Sequence, residues 1–112
     1  MIILHLTSPA EFKKEVLDEK TRPVLVDFYA DWCAPCQVLG PIVEQIDAKE
    51  GKNIKIVKVN VDKANELAQE YGVMSIPTIY IFWQGKAARQ YVGVQSYDTL
   101  VKESKAAAAV QK

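Results

Sequence analysis

The chain has 112 residues, 49% of them apolar and 25% charged, with 14 basic and 14 acidic side chains and a formal net charge of zero. That length predicts one domain, 1–112, large enough to bury a core, and the composition is ordinary for a globular protein. Balanced charge, with no basic run of five or more, argues against nucleic acid or an anionic membrane as partner. No stretch approaches the roughly eighteen apolar residues of a membrane span. The opening Ile2-Ile3-Leu4 is too short for a signal-peptide core and has no basic flank, which predicts a cytoplasmic protein.

Ile2 to Leu6 reads as a short strand. Ser8-Pro9-Ala10-Glu11 then carries three helix-start signals, with Ser8 as N-cap, Pro9 at the first helical position and Glu11 completing a capping box. Phe12, Val16 and Leu17 give that helix an apolar face, and Thr21-Arg22-Pro23 breaks it. Val24 to Tyr29 is nearly all apolar, β-branched and aromatic, the pattern of a strand covered on both faces. A helix after Cys33 runs to about Lys49, with Val38, Leu39, Ile42, Val43 and Ile46 as its inward stripe, a kink at Pro41 and a stop at Gly51. Ile54 to Val61 is the next strand, so strand, helix and strand imply a parallel pair. Asp62 is placed to cap a helix over roughly Ala64 to Tyr71, ended by Gly72. Thr78 to Trp83 is a second strongly apolar strand, and Gln84-Gly85 turns it into a strand at about Ala88 to Val92. Gly93 marks a bulge or a close backbone approach. Ser96 caps a last helix that turns Tyr97, Leu100 and Val101 inward. The expected architecture is α/β, a central mixed sheet with helices on both faces.

Both cysteines lie in Asp31-Trp32-Cys33-Ala34-Pro35-Cys36-Gln37, three positions apart at a strand-to-helix junction. Positions i and i+3 of a helix are neighbours, and their spacing suits a disulfide. Such a bridge closes a tiny loop and stabilises weakly, so chemistry explains it better than stapling. In a chain with βαβ patterning, Cys-x-x-Cys reads as a redox pair. Cys33, at the helix start, meets unpaired N–H groups and the positive end of the helix dipole, which favour a thiolate. It is therefore the attacking sulfur, and Cys36, a turn deeper and more buried, resolves the mixed disulfide. Pro35 suits a helix start, where its missing N–H is not needed.

Asp27 is a carboxylate inside an apolar strand, and burial should raise its pKa. Two readings stay open for it. Either it accepts the proton of Cys36, or it bonds a nearby backbone N–H or pairs with a lysine. Lys58 is its candidate cation partner, or else points its amine to solvent. A structural zinc needs four ligands, and two cysteines with one distant His5 do not supply them; no metal is expected. His5 has no assigned role. Trp32 beside the redox pair reads as an exposed docking indole, and Phe28 and Tyr29 as core.

The stretch Val24-Leu-Val-Asp-Phe-Tyr-Ala-Asp-Trp-Cys-Ala-Pro-Cys-Gln resembles the active-site signature of the thioredoxin family. Lys58-Val-Asn-Val-Asp62, Ile76-Pro77-Thr78 and Val92-Gly93 fall where that family has matching segments, so the resemblance covers nearly the whole chain. It implies the thioredoxin fold and a protein-disulfide reductase that maintains cell redox homeostasis with no cofactor beyond a redox-active Cys33–Cys36 disulfide. It makes Asp27 a buried proton acceptor and Lys58 its partner. Ala34, Pro35 and a cis Pro77 tune or pack against the pair, and Trp32, Ala34, Ile76, Gly93 and Val94 form an apolar docking surface. It further implies a monomer that takes electrons from a thioredoxin reductase and passes them to protein disulfides. The chain departs from the family's commonest pattern at Ala34 (glycine), Gln37 (a basic residue) and Tyr29 (tryptophan). Two other readings compete: a disulfide oxidase or isomerase, against which Pro35 and the missing export signal argue, and a non-redox binding subunit that uses the same apolar rim.

Overall fold

The computed structural model describes residues 2–110. Its elements in chain order are β1 (Leu4–His5), α1 (Pro9–Phe12) continuing into a π-helical stretch (Lys13–Leu17), β2 (Val24–Tyr29), α2 (Ala34–Glu50), β3 (Lys55–Asn60), α3 (Asn65–Glu70), β4 (Thr78–Trp83), β5 (Lys86–Val92) and α4 (Tyr97–Val110). The five strands form one sheet in the order β1-β3-β2-β4-β5. β1 and β2 run parallel to β3, while β4 is antiparallel to β2 and β5. The sheet is therefore mixed, as the alternation of elements predicts.

Strand alternation divides the core in two. On one face Val24, Val26 and Phe28 of β2 pack with Val57, Val59, Tyr80 and Phe82 against Phe12 and Val16 on the first helical segment and Leu67 of α3. On the other face Leu25, Ile56 and Ile79 meet Leu39, Val43 and Ile46 of α2 and Leu100 of α4. Helices thus cover both faces, and odd-numbered positions of β2, Asp27 among them, look toward α2.

The N-terminal helix starts as its signals dictate, but its capping differs in detail. Ser8 Oγ accepts the Glu11 N–H at 3.2 Å, whereas the Glu11 carboxylate reaches past Ser8 to the Thr7 N–H at 2.9 Å. The helix then widens, and the Asp18 N–H bonds back five residues to the Lys13 carbonyl at 2.9 Å. In α2, Leu39, Val43 and Ile46 form the buried stripe with Cys36 one turn earlier. Val38 was expected on that stripe but is 60% exposed, because it sits one position out of phase with this i, i+3, i+4 series. The helix runs through Pro41 to Glu50, and Gly51 ends it in ordinary right-handed geometry (φ −60°), without the left-handed conformation usual for a terminal glycine.

Asp62 does not cap α3. The N-cap position is Ala64, two residues later, and it has no side-chain cap. The Gln84-Gly85 turn is a tight hairpin with positive φ at both residues, 50° and 84°. A Cβ on Gly85 would lie 2.9 Å from the Leu17 carbonyl oxygen, so glycine is required there twice over. The only register shift in the β4–β5 pair lies at Ile81/Phe82, not at Gly93. Gly93 makes the close approach instead, its N–H donating to the Pro77 carbonyl at 2.8 Å.

Candidate active site

Cys33 sits where β2 has ended and α2 begins, and it is itself the N-cap of α2. Its extended backbone (φ −89°, ψ 112°) aims Sγ back over the first turn, where it accepts the Cys36 N–H at 3.2 Å. Sulfur thus takes the place that a serine or aspartate oxygen fills at an ordinary helix start. Ala34 and Pro35 are the first two helical residues, where an N–H has no helical partner, so the N–H that Pro35 lacks costs no hydrogen bond. The two sulfurs form a disulfide, with Cα atoms 5.2 Å apart.

The sequence expects Cys36 to be the more buried sulfur. The two are instead equally covered, Cys33 4% and Cys36 6% exposed. Each has a different cover. Cys33 lies under the Ile76–Pro77 segment, its Sγ 3.7 Å from the Ile76 carbonyl oxygen. Cys36 borders a cavity of about 390 Å³ lined also by Tyr29, Asp31, Gly40, Glu44 and Lys58. The Ile76–Pro77 bond is cis, and Ile76 packs on the Ala30, Cys33 and Cys36 cluster. The bond between Gly93 and Pro77 brings the Gly93-Val94 turn to the same edge.

Asp27 is 1% exposed, on the face of β2 that α2 covers. Its Oδ1 has no hydrogen-bond partner. Burial pushes its carboxyl up to about 6 from an ordinary 3.8, against the opposing pull of the nearby Lys58 ammonium. Lys58 is the register neighbour of Asp27 on β3, on the same face. Among the described residues no ion pair joins the two. The Lys58 Nζ stands over the Tyr29 ring, 4.4 Å from its centre. Tyr29 is half-buried beside the cysteine pair, and so is less fully core than its sequence suggests.

Trp32 is 71% exposed, yet its indole is not loose, because Nε1 donates to Asp62 Oδ2 at 2.9 Å. This partner escapes sequence reasoning. Thirty residues separate the two, and Asp62 looks locally like a helix cap. Gln37 donates from its side-chain amide to the Asp31 carbonyl at 2.9 Å and ties the loop before Cys33 to α2. Met74, two residues before Ile76, is 95% exposed and enlarges the apolar surface, and no local pattern in the sequence signals it. Val94 is exposed as well. Among the described residues no group of three or more His, Cys, Asp or Glu side chains could hold a metal, and no helix is long and apolar enough to cross a membrane. A second hollow, between Ile2, Arg22, Asp47 and Lys55, lies at the opposite end of the sheet, where β3 begins.

Comparison with known proteins agrees with this geometry. The thioredoxin family model matches residues 3–106. The chain is 46% identical to a thioredoxin of Mycoplasmoides gallisepticum over 89 residues, 80% of this chain and 86% of that one. It is 42% identical to thioredoxin 1 of Synechococcus elongatus over 100 residues, 89% and 92% of the two chains. Its fold is similar to the crystal structure of a Malassezia sympodialis thioredoxin, with a TM-score of 0.82, 29% identity, and 96% and 91% of the two chains covered. A cysteine pair closed into a disulfide at a helix tip, on a sheet of this order and in a chain matched over nearly its whole length, places this protein in the thioredoxin family of protein-disulfide oxidoreductases.

Proposed function

We propose that Cys33 is the attacking sulfur of a general protein-disulfide reductase, that Cys36 resolves, and that Asp27 takes the resolving proton. One observation carries the first assignment. The Cys33 Sγ is the N-cap acceptor of α2, so a negative sulfur there keeps a charge-assisted bond to the Cys36 N–H and meets the positive helix end. The Cys33 thiolate attacks a target disulfide, joins one target sulfur and releases the other as thiolate. Cys36 then loses its proton to the Asp27 carboxylate and attacks Cys33, freeing the second target sulfur. Two electrons have passed to the target, and the pair is left as the Cys33–Cys36 disulfide. A carboxyl near pH 6 is well matched to accept that proton near neutrality. Lys58 sets the field around Asp27, while Ala34, Pro35 and Pro77 shape the surroundings of the pair. Trp32, Ala34, Ile76, Gly93 and Val94 form the apolar rim that receives the target chain.

A thioredoxin reductase, as the family implies, returns the pair to the dithiol. The chain, 1–112, acts as one domain and as a monomer, without metal, nucleic acid or membrane. Its place is the cytoplasm, where a pair that must be kept reduced is best supplied with electrons. Insulin-disulfide reduction driven by dithiothreitol tests the assignment. The protein should accelerate it, Cys33→Ser should abolish it, and Cys36→Ser should accumulate a mixed disulfide with the target. Full turnover by Cys33→Ser would overturn it.

A further inference from the structure

Asp27 and Lys58 are register neighbours on adjacent parallel strands, facing the same way, with opposite charges. They are placed to pair, and Asp27 Oδ1 is left without a partner in the core. The ammonium acts on that carboxyl through space but makes no ion pair with it among the described residues, and stands instead 4.4 Å from the centre of the Tyr29 ring. Tyr29 lies two residues beyond Asp27 on β2 and so on the same face. The His5 ring also meets it edge-on, the ring centres 6.5 Å apart and the planes at 77°. His5 is in turn the register neighbour of Lys58 across β1 and β3. A cation over an aromatic face is attracted by the ring quadrupole, most strongly where water is partly excluded.

Resting on the assignment of Asp27 as proton acceptor, we propose that Tyr29 is a positioning residue for the resolving step: its ring holds the Lys58 ammonium out of direct pairing with the Asp27 carboxyl, and His5 braces that ring. An ammonium paired directly with a buried carboxylate would hold it ionised and make it a poor proton acceptor. A seated ammonium leaves the carboxyl buried and unpaired, able to take a proton from Cys36. The other charged groups on this cavity are Asp31, at the end of the loop from β2, and Glu44 of α2. Both are exposed and compete weakly for Lys58.

The test follows the second equivalent of thionitrobenzoate released when the reduced protein meets an aryl disulfide. The first equivalent reports attack by Cys33, and the second reports resolution by Cys36. In Tyr29→Leu the freed ammonium should reach Asp27, and the pH at which resolution is half-maximal should fall by about one unit. Tyr29→Phe, which keeps the ring, should leave that midpoint unmoved. Tyr29→Met keeps the volume without an aromatic face and gives the same reading should the leucine variant fold poorly. A midpoint unchanged in both Tyr29→Leu and Tyr29→Met overturns the seat, as does one that moves equally in Tyr29→Phe. Asp27→Asn is run in parallel. Cys36 must still ionise, so that variant keeps a pH dependence, but its midpoint should move up to that of the unassisted thiol. If the parent midpoint survives in it, the Asp27 assignment itself fails. If the midpoint moves up there but is indifferent to Tyr29, only the seat fails.

Discussion

Replacing Asp27 by its neutral isostere should make this protein more stable at neutral pH, and the gain should itself depend on pH. The carboxyl is 1% exposed and its Oδ1 has no partner, so the folded chain holds it charged at a cost. Its pKa stands at about 6, raised from an ordinary 3.8. The folded state therefore binds a proton more tightly than the unfolded state between those values. By linkage, stability falls as pH rises from below 3.8 through 6. At about 1.4 kcal/mol per pH unit, the whole fall is about 3 kcal/mol. Asp27→Asn has no such proton to lose. Urea denaturation of the oxidised protein and the variant, from pH 4 to pH 8, should show two curves that start close together and diverge. At pH 8 the variant should lead by about 3 kcal/mol, or roughly 1.5 M in midpoint for an m-value of about 2 kcal/mol/M. A difference that stays constant with pH, or a variant less stable than the parent at pH 8, would refute the claim that the burial of Asp27 outweighs the pull of Lys58.

Glu19 should behave in the opposite sense. Burial pushes its carboxyl up, but hydrogen bonds from Thr21 and the Arg22 guanidinium outweigh that and bring it down to about 2 from 4.5. Its contribution is complete above 4.5 and is lost as pH falls through about 2. Glu19→Gln should cost about 1 kcal/mol at pH 7, well short of the roughly 3.5 kcal/mol that full linkage would give, because solvent screens a pair this near the surface; the cost should be less as the acid limb is entered, and nothing at its foot, as read by thermal denaturation at each pH. Asp62→Ala removes the acceptor of the Trp32 indole. In a Trp83→Phe background, where Trp32 is the sole tryptophan and is excited selectively at the red edge, the time-resolved fluorescence anisotropy should lose its slow component and gain a fast local one, and turnover of insulin disulfides should fall about two- to five-fold from the cost of ordering a freed side chain on the proposed docking rim. Unchanged anisotropy would mean that packing alone holds the indole.

What the sequence made legible follows from where information is local. β2 and β4 begin and end where their apolar runs do, because a strand covered on both faces tolerates few polar residues. Ser8, Pro9 and Ser96 mark their helices because caps act within three residues, and the Thr99 N–H does bond Ser96 Oγ, at 3.1 Å. The cysteine pair was legible for the same reason, since its spacing and its place after β2 are both short-range facts. The failures are of two kinds. Val38 and Gly51 depend on helix phase and on how the next segment leaves, which a few residues cannot fix. The Trp32–Asp62 bond, the seat of Lys58 on Tyr29 and the equal burial of the two sulfurs depend on segments far apart in the chain. Asp62 is the instructive case. Its local pattern offers a cap, yet a tertiary partner thirty residues away takes its carboxylate. The π-helical stretch after Phe12 was invisible because α- and π-turns share the same start signals and the same apolar face.

The proposed cycle needs Cys33 to be a sulfur kept ionised by the N-terminal turn of α2, and that ionisation can be measured directly. In reduced Cys36→Ser protein the residue 36 N–H is retained and Cys33 is the sole thiol, so the pH dependence of its alkylation by iodoacetamide reports that group alone. The rate should reach half its plateau well below the value of about 8.5 for a free cysteine. A midpoint at that ordinary value would mean that the helix tip does not activate the sulfur, and the proposed order of attack would lose its physical basis.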